Sequence, residues 1–117
     1  MTISGKIVIS TTVTTSNLRI SGTDTSVALN NPTNNVGVLA ANVKSLLLSS
    51  DTGIDQNNAY GKGLYVGTVE GMSGVTATGD VSLVSRNNHI FVDQNISTAS
   101  TANTAVQLNA GEALSTG

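Results

Sequence analysis

Cysteine is missing from the 117 residues, which removes disulfide, thiolate and sulfur-ligated metal chemistry together. Tryptophan is missing as well, and the aromatic side chains reduce to Tyr60, Tyr65 and Phe91. A compact sandwich of this length wants several large side chains at its centre, so the scarcity points instead to a narrow slot filled by Val, Ile, Leu and Ala. Charge is sparse, at 10% of residues against the roughly 25% of an ordinary globular chain. The five cations, Lys6, Arg19, Lys44, Lys62 and Arg86, stand singly. No basic stripe exists to neutralise a phosphate backbone, which argues against nucleic acid as a partner. The longest wholly apolar run, Val38 to Ala41, is too short for a membrane span. Residues 1–6 begin an alternating strand where a signal peptide would carry a continuous apolar segment. The expectation is an internal piece of a longer chain with an added initiator Met, the other reading being a protein that is not exported.

What the chain does have is short runs of apolar residues alternating with small or polar ones, flanked by glycine. Leu64 to Val66, Val75 to Ala77 and Val81 to Leu83 are the clearest. Period-two alternation between glycines is a strand signal. The runs recur. Stepping back from Val81/Leu83, similar pairs stand at Leu64/Val66, Leu46/Leu48, Val27/Leu29 and Ile7/Ile9, at intervals of 17, 18, 19 and 20 residues. A second series, Leu18/Ile20, Val36/Val38, Ile54, Val75/Ala77 and Ile90/Val92, runs between them. Two strands per turn at a period near 19 residues read as a β-solenoid, each coil burying a narrow apolar face on its neighbours.

The fold class expected is therefore all-β, a single segment over residues 1–117 of about five to six coils, roughly 25 to 30 Å long at the ladder spacing. Its core would hold Ile7, Ile9, Val27, Leu29, Leu46, Leu48, Leu64, Val66, Val81, Leu83, Val106 and Leu108. The run Asn30-Asn-Pro-Thr-Asn-Asn35, with the only proline, marks a corner. Residues 51–63 form the least regular section and read as a protruding loop or a weak strand around Ile54. One stretch is ambiguous: Val38, Leu39, Val43, Leu46 and Leu47 could line a short helix from Val36 to Leu48, against which Gly37, Asn42 and the β-branched valines weigh. Uncapped coils at either end would expose unpaired backbone and invite pairing with another copy.

Asp51, Asp55, Asp80 and Asp93 lack partners at the coil spacing that would stack two carboxylates for acid/base work, and read as solvated corner residues. His89 has no triad partner or second histidine nearby. Asp51, Asp55 and Asn57 make a loop rich in oxygen ligands, but without the glycine and glutamate of an EF-hand. The glycines between Gly61 and Gly79 lack the Gly-Lys-Ser/Thr of a phosphate loop and serve corners. Asn95-Ile-Ser97 matches a glycosylation acceptor, a weak three-residue pattern. Alternation places Tyr65 and Phe91 opposite Leu64/Val66 and Ile90/Val92, hence outside the core. With Asp51, Asp55 and Asn57 they form the one candidate ligand surface, for a glycan; the plainer reading is that the two rings pack against a loop or a neighbouring molecule. Neither a cofactor, a metal nor catalysis is expected.

Two stretches carry a resemblance: Asn35-Val-Gly-Val-Leu-Ala-Ala-Asn-Val43, and Gly63-Leu-Tyr-Val-Gly-Thr-Val-Glu-Gly-Met-Ser-Gly-Val-Thr-Ala-Thr-Gly-Asp-Val-Ser-Leu-Val84. Together with the style of 88–98 and 104–111, they resemble the repeat region of filamentous-haemagglutinin-like exoproteins. The resemblance implies a right-handed parallel β-helix shaft on a large bacterial surface or secreted adhesin, exported through a partner protein and working in attachment or biofilm cohesion. The partners expected are neighbouring coils of a longer parent, other copies end to end through the uncapped coils, and a host-cell or microbial glycan at the outward aromatics. The resemblance supplies no catalytic residue. Asn31-Pro32 is too little to mark the secretion domain of such proteins.

Overall fold

The computed structural model describes residues 2–4, 12–51, 53–54 and 62–111. Among them eleven strands follow one another: β1 Thr2–Ser4, β2 Thr14–Leu29, β3 Asn35–Ser50, β4 Gly63–Val66, β5 Thr68–Val69, β6 Met72–Ser73, β7 Val75–Ala77, β8 Val81–Ser85, β9 His89–Val92, β10 Ile96–Thr98 and β11 Val106–Ala110. The ambiguous stretch from Val36 to Leu48 is strand throughout, inside β3. Its valines and leucines find partners in register on both sides, which an isolated helix of that length would not match.

Nine strands join one sheet in which every pairing is parallel. They stack in three rows. In the first, residues 14–18 lie against 35–39, then β4, then β9. In the second, β1 lies against residues 19–21, followed by 40–43, β7 and β10. In the third, residues 26–29 meet 45–48, and β8 and β11 follow. Parallel neighbours require a crossover before each return. Here the crossover is the rest of the turn.

The inside of the stack follows from alternation. Leu39, Ala41 and Val43 are buried in turn, then the phase slips across Lys44 and Ser45, and Leu46, Leu48 and Ser50 are buried instead. That slip bends the chain from the second row into the third. Seventeen buried apolar residues, including Leu18, Ile20, Val27, Leu29, Leu64, Val66, Val81 and Leu83, form one cluster between the rows, each large member worth about 1.5–3 kcal/mol of burial. No large ring enters that cluster, in keeping with the composition.

Corners bury polar groups and satisfy them. Asn34 Oδ1 accepts from the Val13 N–H at 2.7 Å, and its Nδ2 donates to the Leu29 carbonyl at 3.0 Å. One turn on, Ser50 Oγ accepts from the Val36 N–H at 2.9 Å and donates to the Val36 carbonyl at 3.1 Å. Backbone groups turned inward at a bend would otherwise cost about 1–3 kcal/mol each.

Several expectations need correction. The stacking steps are not constant near 19: Val27 meets Leu46 at 19 residues, but Ala41 meets Val75 at 34 and Val81 meets Val106 at 25. Segments 51–62, 67–74 and 99–105 lengthen particular turns. For that reason Leu46/Leu48 meets Val81/Leu83, whereas Leu64/Val66 sits in the first row between Leu39 and Ile90/Val92. Leu18 and Ile20 meet Leu39 and Ala41 instead of Val36 and Val38. Val106 and Leu108 stack on Val81 and Leu83 as inward residues, yet both are exposed, because no further described strand covers the last turn. Ile7 and Ile9 lie outside the described residues. The molecule spans 36 × 29 × 26 Å, a block and not a thin rod.

Candidate functional site

The outer side of the first row carries the aromatic residues. In Gly63-Leu64-Tyr65-Val66 alternation turns Leu64 and Val66 into the main core and Tyr65 out, as expected. Being outward does not leave it in water. Tyr65 is 1% exposed, packed in a second apolar cluster with Val38, Ala40 and Val69, against which Ile54, Met72 and Phe91 also rest. The cover is the antiparallel hairpin of β5 and β6, inserted between Val66 and Val75. Its tip, Glu70 and Gly71, has positive φ at both residues, 49° and 83°, the requirement of the tight hairpin turn whose twist matches its strands. Ile54 comes from the other side: it bridges Gly63 in antiparallel sense, with reciprocal N–H to carbonyl bonds of 3.0 Å. Gly37 makes room for it, since a Cβ there would lie 2.8 Å from the Ile54 side chain.

Phe91 stands directly above Tyr65 in register. The rings stack with centroids 4.6 Å apart and 19° between planes, and His89 meets Phe91 edge-on at 5.6 Å. Of the two readings of these rings, packing against a loop is the one the fold shows: Tyr65 is an internal ring beneath the hairpin, and Phe91 is half-buried on top of it. No sugar face can use Tyr65 while β5 and β6 lie over it.

Asp51 serves the corner. Its N–H donates to the Asn34 carbonyl at 2.6 Å, its carboxylate accepts from Asn87 Nδ2, and its carbonyl accepts from the Asn87 N–H at 3.2 Å. Asn35 Oδ1 takes the Gly53 N–H at 2.8 Å on the same side. These contacts tie three successive turns together. Asp55 and Asn57, expected beside Asp51, lie outside the described residues, as does most of the 51–63 loop, whose two ends the Ile54–Gly63 bridge brings together.

Asp80 holds the other polar cluster, which sequence reasoning passed over as a solvated corner. Ser100 Oγ donates to Oδ1 at 2.6 Å and Thr104 Oγ1 donates to Oδ2 at 2.7 Å. The Ser100 hydroxyl first, and the Thr104 hydroxyl second, hold the carboxyl below its ordinary value, with a small opposing push from burial. Thr98 Oγ1 reaches the Gly79 carbonyl at 2.5 Å. The segment between β10 and β11 is thus pinned to the turn below it. Ser100 and Thr104 sit in a polar run without apolar pattern, and only their distance of 20 and 24 residues from Asp80, one turn of chain, could have signalled the pairing.

Beside Asp80 a groove of about 400 Å³ runs along the outside of the third row, lined by Ser26, Ala28, Ser45, Leu47, Asp80 and Ser82. Both oxygens of its one carboxylate are engaged by the hydroxyls just described. Among the described residues no three His, Cys, Asp or Glu side chains gather where they could hold a metal ion. Buried polar atoms without a hydrogen-bond partner among the described residues are Arg19 Nε, Ser85 Oγ and His89 Nδ1, and they lie on different turns. Ser85 stands one step above Ser50 in the third row but does not repeat its bonds.

The contacts of Asp51, of Asp80 and of the Tyr65–Phe91 stack each fasten one turn to the next. Comparison with protein-family models, with curated proteins and with solved structures returned no match to this chain.

Proposed function

We propose that this chain is a structural segment of right-handed parallel β-solenoid from a bacterial surface or secreted adhesin, where it extends and stiffens the fibre. The observation that carries the reading is the continuity of the rows: from β3 onward each turn is bonded in parallel to the turn before it across all three. Backbone bonds in such a stack point along its axis, so a load applied end to end is shared by every row of a turn at once. The inserted hairpin of β5 and β6 falls outside the rows and leaves the ladder intact. Corner contacts through Asn34 and Asp51 support the same reading, because they join one turn to the next, while Ser50 closes its own turn onto Val36. The resemblance of 35–43 and 63–84 to filamentous-haemagglutinin-like repeats supplies the cellular setting, export and attachment.

Two measurements test it. Pulling the chain end to end in a single-molecule instrument should give a high, cooperative rupture; extension at low force without discrete events would defeat the spacer role. Reading the source gene on both sides of the segment should reveal further turns of the same kind beneath a secretion domain, and a flanking frame without them would remove the adhesin setting while leaving the fold untouched.

A further inference from the structure

The groove on the outer side of the third row is built by the register. Ala28, Leu47 and Ser82 are successive neighbours in one outward column, so a leucine stands between an alanine and a serine and rises above both. Beside it Ser26 pairs with Ser45. Asp80 comes next to them, because it precedes Val81, the partner of Leu46, and its carbonyl accepts from the Leu46 N–H at 3.0 Å. Small side chains around one large one leave the space of about 400 Å³, at the lower end of the range that holds small organic molecules. The described lining is mostly apolar, and Asp80 is its one charged residue. That carboxylate is half-buried and aimed by Ser100 and Thr104, each hydroxyl donating to a different oxygen. An ionised carboxylate accepts about four hydrogen bonds, so half of its capacity is unspent. The hydroxyl of Ser100, then that of Thr104, favours the ionised form, and no cation contributes.

We infer that this groove binds a small aliphatic ammonium, its chain against Leu47 and Ala28 and its charged head donating to Asp80. The match is one of charge and of shape together. An ammonium brings donors and a positive charge to the unspent acceptors, and each methylene laid in the groove strengthens binding by up to roughly fourfold. An anion would meet the carboxylate with no cation in the described lining to offset it, and a neutral apolar molecule would gain nothing from Asp80. A protein partner would need more surface than this side offers. Stable interfaces bury more than about 1,000 Å², and Leu47 is the one exposed large apolar side chain among the described residues outside β9 and β11. Strand addition fails as well, since Leu46 and Leu47 already have ladder neighbours on both sides. The inference goes beyond the spacer reading and does not depend on it.

The experiment is titration of the full 117-residue chain with n-hexylammonium at neutral pH, followed by amide resonances, with methylammonium and 1-hexanol as controls. Expected is a saturable shift at Ala28, Leu47 and Ser82 with a dissociation constant of about 1 mM or tighter, in keeping with so few ligand atoms. Each control should bind at least roughly tenfold more weakly. Asp80→Asn should bring n-hexylammonium down to the level of 1-hexanol. Leu47→Ser leaves the hydroxyl clamp untouched and should weaken n-hexylammonium roughly tenfold, which gives a second readout should Asp80→Asn fail to fold. The absence of a saturable shift overturns the inference. Equal binding of 1-hexanol overturns it by leaving Asp80 without a part, and equal binding of methylammonium does so by leaving the groove without one. A folded variant that binds as well as its parent, or shifts centred on Val92, Val106 and Leu108 instead, also overturns it.

Discussion

Tyr65 and Phe91 occupy equivalent positions on successive turns, and their rings stack at 4.6 Å on the outer side of the sheet. One ring is sealed under a hairpin and the other lies half in water. Tyr65→Ala should cost about 3–5 kcal/mol in urea unfolding, as for other large aromatic truncations, and Phe91→Ala should cost less. The double variant should reveal a coupling of about 0.5–1.5 kcal/mol. Strict additivity would mean that the stack is coincidental and that the hairpin alone accounts for the burial.

Leu83 and Leu108 are neighbours in one column, yet only the lower one is enclosed. Leu83→Asp should abolish the cooperative thermal transition, because it places an unpaired charge in the apolar cluster. Leu108→Asp should leave a transition close to that of the parent. If the two variants melt alike, the assignment of inside and open end is wrong.

Asp80 makes stability depend on acid. Its carboxyl is held below the ordinary 3.8 in the folded chain, so the stabilisation is present above that value and disappears as pH falls through the lower folded value. Asp80→Asn should be the less stable protein at neutral pH, and the gap between the two should shrink as the solution is acidified from about pH 5 toward pH 2, the range over which a lowered aspartate loses its advantage. Chemical denaturation across that range checks it. A gap that widens toward low pH would contradict the hydroxyl clamp by Ser100 and Thr104.

Asn34 is a buried side chain with both ends of its amide engaged. Asn34→Ala should cost about 1–3 kcal/mol by orphaning the Val13 N–H and the Leu29 carbonyl. Asn34→Asp keeps the acceptor and loses the donor, so it should not recover the loss. Amide exchange at Val13 locates the effect: the parent should protect that proton, and Asn34→Ala should release it.

Much of the core was legible from alternation alone. Val27, Leu29, Leu46, Leu48, Leu64, Val66, Val81 and Leu83 are all buried, since period two separates the sides of a strand whatever it pairs with. Which strand lies on which was not legible. Leu64/Val66 stands at a plausible interval after Leu46/Leu48 yet belongs to another row, because a step in sequence measures contour length and cannot distinguish a loop from a strand. The outward direction of Tyr65 followed from the same alternation, but its burial did not. That depends on residues 67–74 folding back over the sheet, a local event signalled only by the Glu70-Gly71 turn. The Asp80 clamp escaped notice for a similar reason, its partners lying in a run of small polar residues without pattern. Val106 and Leu108 show the converse limit, where the pattern is right and no described strand lies above them to bury them.

The hairpin of Thr68 to Ser73 lies between β4 and β7, yet both strands rejoin β3 only two residues apart, at Leu39 and Ala41. Eight residues of detour leave no displacement in the rungs above. Sideways growth and axial growth are therefore independent variables in this architecture. A lineage of such chains can lengthen, shorten or redecorate its flanks one bend at a time while neighbouring rungs keep their alignment, so the outer contour is free to diversify around an interior that must stay the same.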